Sequence, residues 1–309
     1  MLFMRLLALL FCLIALRAGQ ESAATFRSSV TQVRLDLLAT NDQGPLGQLS
    51  ADDLIIEDEG QPVRITSFNR ETADLNILLL LDVSGSMKTF LSQIGQNART
   101  LLGQLREQDR TGVMVFSKET DYLMPFSSRL DRVVNAIDQA LRPGLMPAGT
   151  AINAALVDAA EAFLTNPKLT GHRAIFILTD NKSLNYRVPD ELVLRKLFAA
   201  DTVLNAIVTS NAEPPRPYKN PSERNPDFSW ADVFKLTAET GGETLRTSRA
   251  DEAFTRLLGN LRQRYLITYD APPAPPNQFR RIRLTLTAQA RKKFGKVNLK
   301  LRSGYYTGS

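Results

Sequence analysis

Apolar runs of two different periods alternate along the middle of this chain. Leu75-Asn76-Ile77-Leu78-Leu79-Leu80-Leu81 is almost continuously apolar, the signature of a central strand of a parallel sheet covered on both faces. Phe90, Leu91, Ile94, Leu101, Leu102 and Leu105 then recur at helical spacing and predict a helix over 90–105. A strand over 113–116, helices over 130–141 and 150–164, a strand over 173–178, a helix over 190–200 behind Pro189 and a strand over 203–208 follow. A helix over 231–240 stopped by Gly241-Gly242, a short strand over 243–246 and a helix over 251–261 complete the series. Such alternation predicts an α/β fold: a doubly wound, mostly parallel sheet with helices on both faces.

The two ends of the chain read differently. Val30, Val33, Leu35 and Leu37 form one strand-like run and Val63, Ile65 and Phe68 another, with turns at Asn41-Asp42-Gln43-Gly44 and Asp58-Glu59-Gly60 between them. Strand character returns at Tyr265 to Tyr269. Past the stiff segment Ala271-Pro272-Pro273-Ala274-Pro275-Pro276 it resumes with strict alternation at Ile282, Leu284, Leu286 and at Val297, Leu299, Leu301. Neither end is large enough for a core of its own, so the two are expected to pair as a small β-sandwich interrupted by the α/β domain. The organisation predicted is a signal segment over 1–24, an N-terminal β segment over 25–72, an α/β domain over 73–266, and a C-terminal β segment over 267–309 that pairs with 25–72. The acidic residues Asp52, Asp53, Glu57, Asp58 and Glu59 then become cross-strand neighbours of the basic cluster Arg280, Arg281, Arg283, Arg291, Lys292, Lys293 and Lys296.

At 309 residues, 43% hydrophobic and 23% charged, the chain has the composition of an ordinary globular protein, and no disordered class is needed. Arg5, the apolar stretch Leu6 to Leu16 and small residues around Ala18 read as a secretory signal, with cleavage after Ala18 or Ala24 or retention as an anchor. Export to a periplasm or the exterior is therefore expected, with membrane attachment only if the segment is uncleaved. The single cysteine, Cys12, lies inside that segment, so the remainder has no thiol or disulfide chemistry. The formal net charge of +6 falls to about +4 without Arg5 and Arg17, too weak and too dispersed for a nucleic-acid partner.

Three separated strings carry the candidate chemistry: Asp82-Val83-Ser84-Gly85-Ser86, Gly149-Thr150 and Thr179-Asp180. Asp82 and Asp180 each follow a predicted buried strand, and open α/β sheets place their ligand sites beyond the carboxyl ends of such strands. Two carboxylates at one sheet edge repel unless a proton or a cation joins them. Hydroxyls from Ser84, Ser86 and Thr150 favour a hard divalent cation, Mg²⁺ first and Mn²⁺ or Ca²⁺ next, over zinc. Taken singly, the DxSxS string and Thr150 also read as helix caps, because Asp, Ser and Thr are favoured there.

On these residues the chain resembles the von Willebrand factor A domain family and its metal-ion-dependent adhesion site: DxSxS as Asp82, Ser84 and Ser86, the separate threonine as Thr150, and the second aspartate as Asp180. The resemblance implies that the serines and the threonine line the ion, that one or both aspartates act through water, and that an Asp or Glu of a protein ligand fills an outward position. Where the family commonly has Gly after the second aspartate, this chain has Asn181. Val33-Arg34-Leu35-Asp36, Gly47 to Leu54, Asp58 to Pro62 and Arg302-Ser303-Gly304-Tyr305-Tyr306 also resemble the von Willebrand A related proteins abundant in Acidobacteria. That likeness spans nearly the whole mature chain and implies architecture more than activity.

The function expected is therefore metal-dependent protein binding without enzymatic activity, with Met87, Lys88, Asn181 and Lys182 flanking the site. Two alternatives stay open. One is a scaffold binding partners without metal, through a sandwich surface including Trp230, Tyr305 and Tyr306 or through the proline-rich loop 213–226. The other is a metal-assisted hydrolase, disfavoured because no GxSxG, HExxH or phosphate-binding glycine loop occurs and the sole histidine, His172, precedes a strand, where a turn or surface role is expected.

Overall fold

Every residue of the strand Leu75–Asp82 is buried, because the sheet continues on both sides of it and helices close over both faces. The computed structural model describes residues 32–70, 73–142, 149–186, 188–216 and 228–308. The predicted signal segment and most of the proline-rich loop lie outside the described residues.

In chain order the N-terminal strands are β1 (Gln32–Asn41), β2 (Gly44–Pro45), β3 (Leu54–Asp58), β4 (Gln61–Val63) and β5 (Ile65–Asn69). The α/β part comprises β6 (Leu75–Asp82), α1 (Lys88–Leu102), β7 (Arg110–Phe116), β8 (Thr120–Ser127), α2 (Leu130–Ala140), α3 (Ile152–Leu164), β9 (His172–Thr179), β10 (Leu184–Tyr186), α4 (Asp190–Ala199), β11 (Val203–Thr209), β12 (Phe228–Trp230), α5 (Val233–Glu239), β13 (Thr244–Thr247) and α6 (Ala250–Arg262). The chain ends with β14 (Tyr265–Asp270), β15 (Phe279–Leu286), α7 (Ala288–Phe294), β16 (Asn298–Lys300) and β17 (Gly304–Tyr306).

The main sheet has the order β13-β11-β9-β6-β7-β8. Its pairings are parallel except for β8, which returns antiparallel beside β7. The strand pleat sends Leu75, Ile77, Leu79 and Leu81 into a core with α1, α2 and α6, and Leu78 and Leu80 into a second core with α3, α4 and α5. The expected doubly wound α/β architecture is what forms.

The terminal strands build two further antiparallel sheets, β16-β1-β14-β5 with β2 on the edge of β1, and β17-β15-β3-β4. Both turn alternate residues into one shared core, including Leu35, Leu37, Ile56, Ile267, Tyr269 and Leu284. Each sheet mixes strands from the two ends of the chain, and the proline segment 271–276 carries the chain from β14 in one sheet to β15 in the other. Tyr265 and Leu266 pair with Leu37 and Asp36, so the antiparallel sheet begins directly after α6. The acidic and basic runs do meet: Glu57 stands opposite Arg283, and the Arg280 guanidinium reaches Asp58 at 2.7 Å.

Several elements have no counterpart among the sequence expectations, among them β3, β8, the β10–β12 ribbon and α7. In β3 the acidic Glu57 and Asp58 interrupt an otherwise alternating strand, and Asp58 is buried because Arg280 neutralises it. The antiparallel edge strand β8 carries Pro125, which a central strand excludes. The seven-residue α7 is held by the Thr287 hydroxyl, which accepts from Ala290 N at 3.2 Å. No helix among the described residues is long and apolar enough to cross a membrane.

Candidate functional site

Strand β6 delivers Asp82 to the carboxyl edge of the sheet, in register with Phe116 of β7. The carboxylate is 0% exposed. Its Oδ1 accepts from the backbone N of Ser84 at 3.0 Å, which folds the chain into a tight turn, and its Oδ2 accepts from the Thr179 hydroxyl at 2.7 Å. The Ser84 and Ser86 hydroxyls lie 3.2 Å apart, with Ser84 half-buried and Ser86 exposed. Beyond β9 the same local turn recurs: Asp180 Oδ1 accepts from Lys182 N at 3.0 Å.

Thr150 arrives on a third loop. Ala151 N donates to Ser117 O at 2.7 Å, just past β7, while the Ser183 hydroxyl donates to Thr150 O at 2.7 Å from the loop beyond β9. Gly149 takes φ +126°, open to glycine alone, and its Cα faces the Lys118 side chain closely enough that an added Cβ would stand 3.2 Å from Lys118 Cβ. Asp82, Ser84, Ser86 and Asp180 thus come together around one sheet edge, and the Thr150–Ala151 backbone is tied to the loops beyond β7 and β9 that flank Asp82.

The reading of these residues as helix caps does not hold for Ser84 or Thr150. The Ser84 side chain makes no capping hydrogen bond, and the N-cap of α3 is Ala151. Thr179, which shares a string with Asp180, spends its hydroxyl on orienting Asp82. Sequence reasoning did not single out Ser183, which ties two of the loops, or Ser117, whose buried hydroxyl has no hydrogen-bond partner among the described residues.

Burial raises the Asp82 carboxyl above the ordinary carboxylate range; hydrogen bonds from Ser84 and Thr179 oppose the shift, and the charge of Asp180 adds to it. Neither aspartate has an ion-pair partner among the described residues. A buried carboxylate beside a second one, with hydroxyls adjacent and no ion pair to a basic side chain among the described residues, suits a hard cation with oxygen ligands. The described residues contain no cluster of three or more His, Cys, Asp or Glu, so any such ion would depend on the hydroxyls as well as the two aspartates.

Asn181 takes over the position where glycine was expected by resemblance, and it does so with φ +60°. Asparagine tolerates this left-handed conformation better than most residues. Its side chain is used as well: Nδ2 donates to Glu213 O at 2.9 Å and Oδ1 accepts from Val233 N at 3.2 Å. Both ends of the side chain therefore tie this loop to neighbouring segments.

His172 does not occupy the surface or turn position expected of it. It is 2% exposed, and its Nδ1 bonds Asp36 at the start of β9, roughly 25 Å of strand away from Asp180 at about 3.3 Å per residue. Trp230, Tyr305 and Tyr306 do not form one sandwich surface either. Tyr305 is buried with its hydroxyl on Asp58, Tyr306 packs against Phe198, Phe279 and Arg195, and Trp230 belongs to the β10–β12 ribbon next to the Asp180 loop.

No curated protein matches this chain. Among solved structures it is similar to an aerotolerance-related membrane protein from Bacteroides fragilis, with 18% identity, 60% of this chain and 98% of that chain covered, and a TM-score of 0.46. A von Willebrand factor type A protein from Catenulispora acidiphila aligns over 92% of this chain and 76% of its own at 11% identity and a TM-score of 0.45. The proximal thread matrix protein 1 of the mussel byssus, with a zinc-occupied MIDAS motif, aligns over 67% of this chain and 50% of its own at 17% identity and a TM-score of 0.46. Residues 77–182, the stretch that contains Asp82, Thr150 and Asp180, match the family model of the von Willebrand factor type A domain, and the doubly wound sheet built around them has the fold of that domain.

Proposed function

We propose that this is an exported, non-enzymatic binding protein that engages a protein ligand through a divalent cation held by Asp82, Ser84, Ser86, Thr150 and Asp180. The observation that carries the reading is Asp82 itself: wholly buried, raised in pKa by burial and by Asp180, and without a basic partner among the described residues. A fold that keeps such a group at a sheet edge has a use for its charge. Mg²⁺ fits the oxygen set best, with Mn²⁺ or Ca²⁺ as substitutes. When bound, the ion supplies unbalanced positive charge that an acidic side chain of the ligand completes. Export follows from the signal-like N-terminal segment, and attachment to a membrane would require that segment to stay uncleaved.

A metal-assisted hydrolase is disfavoured by the placement of His172, which the Asp36 contact holds at the opposite end of β9 from the site. The test is calorimetric titration of Mg²⁺ into the wild type and Asp82→Ala, with capture of ligands from a bacterial envelope fraction in Mg²⁺ and in EDTA. Loss of Mg²⁺ binding in the variant and of capture in EDTA supports the reading. Equal Mg²⁺ affinity in the variant refutes the assignment, and EDTA-insensitive capture favours a metal-independent scaffold.

A further inference from the structure

The chain contains one tryptophan, and it is 53% exposed. An exposed apolar residue by itself is ordinary, but the placement of Trp230 is not arbitrary. It ends the two-stranded ribbon formed by β10 and β12, where it stands opposite Leu184. An isolated two-stranded ribbon is marginal in water, so this one depends on what it is tied to, and the ties run to the Asp180 loop beyond β9. Ala231 N donates to Ser183 O at 2.9 Å, and Val233 N donates to Asn181 Oδ1 at 3.2 Å. Ala231 and Val233 are themselves buried, so the backbone on the far side of Trp230 is anchored in the core while its indole faces out. Ser183 in turn holds the Thr150 loop. Trp230 is therefore fixed to the same short segment that carries Asp180, and Lys182 of that segment is exposed and free of ion pairs among the described residues.

We propose that Trp230 is the apolar anchor of the ligand-binding face, so that the ligand is a protein segment whose acidic side chain has an apolar side chain close beside it in sequence. This deepens, and rests on, the cation-site reading above. Tryptophan is the residue type most enriched among binding hot spots, since it removes a large area from water while losing few rotamers. Lys182 adds a charge complementary to an acidic segment. Selection would then act in two parts, the carboxylate by the cation and its neighbour by the indole.

The test uses the full chain and an array of peptides that each carry one Asp or Glu flanked by Leu, Phe, Ser or Gly. Wild type, Trp230→Ala, Trp230→Phe and Asp82→Ala are compared in Mg²⁺, and Mg²⁺ affinity is measured separately. The expected result is preference for Leu and Phe flanks, a loss of about 30-fold for those peptides in Trp230→Ala, a smaller loss in Trp230→Phe, and unchanged Mg²⁺ affinity in both. Because Trp230 is the sole tryptophan, a blue shift of the wild-type emission on peptide binding reports its burial directly. Equal binding of Ser- and Leu-flanked peptides, or wild-type retention by Trp230→Ala, overturns the anchor and leaves the cation reading intact. Binding that persists in Asp82→Ala and in EDTA overturns the cation reading, while the flank preference and the emission shift still decide the role of Trp230.

Discussion

Asp58 in the sandwich core and Asp82 at the edge of the wound sheet are both wholly buried, yet their surroundings are opposite. Asp58 accepts from Arg280 Nε at 2.7 Å, Tyr305 hydroxyl at 2.8 Å and Tyr269 hydroxyl at 3.0 Å. Burial and the bond to Asp58 push the Tyr305 phenol up to about 12. The junction between sandwich and α/β domain follows the same rule. There Asp36 meets His172 and Arg264, and Glu243 meets Lys300 and Asn260. In both acids burial works to raise the pKa, and the partners more than offset it, holding the carboxyls below their usual range. Asp82 has only neutral donors and a second carboxylate. One region compensates each buried charge so that the fold closes; the other leaves a buried carboxylate without a basic partner among the described residues, which is what the proposed cation would supply.

The contrast breaks first at Asp58. Asp58→Ala leaves a buried guanidinium and two phenols without their acceptor, and should cost about 3–5 kcal/mol in urea unfolding; a loss below about 1 kcal/mol would mean the sandwich does not depend on this compensation. At the other site the sign depends on the ion. Mg²⁺ at a hundred times its Kd should stabilise the wild type by about 2.7 kcal/mol and Asp82→Ala not at all, read as a shift in the thermal midpoint.

Acid separates the two regions further. The depressed carboxyls Asp36 and Glu243 contribute stability that is present above their unfolded pKa values and lost as pH falls through the folded ones. Asp82 runs the other way: without metal its contribution is present below its unfolded pKa and lost as pH rises through the raised folded one. In EDTA, Asp82→Asn should therefore gain on the wild type as pH is raised from about 4 towards neutrality, and parallel urea midpoints for the two proteins would contradict the assignment. A smaller effect belongs to Asn181. Replacement by Gly relieves its left-handed backbone but removes two hydrogen bonds, for a net loss of about 1 kcal/mol in thermal unfolding. Smallest of all, Trp230→Ala should change stability by no more than about 0.5 kcal/mol, since its exposed ring contributes little to the core.

The wound sheet was legible because its strands and helices advertise themselves over short windows. Leu75 to Leu81 has the length and character of a buried central strand, and the helical spacing in 90–105 left one face for the core. Expected and observed limits differ by a few residues, as when the helix forms over Lys88–Leu102. Strand β3 was not legible because its pattern is broken by Asp58, which is satisfied by Arg280 more than two hundred positions along the chain, and β8 was not because it carries Pro125. At the site, the order of the three strings was readable, and so was the departure at Asn181. The commitment of Thr179 to Asp82 was not, nor the burial of His172 against Asp36, because both depend on which strand lies beside which.

Periodicity, turn residues and the order of the oxygen-bearing strings are local properties, and they are enough to specify an α/β core, two strand-rich ends and a candidate cation site. Pairing β1 with β14, seating Asp82 without a counter-charge and setting Trp230 beside the Asp180 loop required the folded chain. Those outcomes are sums over groups distant in sequence. Burial and Coulomb interaction act through space, so a residue's charge state and exposure are settled by neighbours that no sequence window contains.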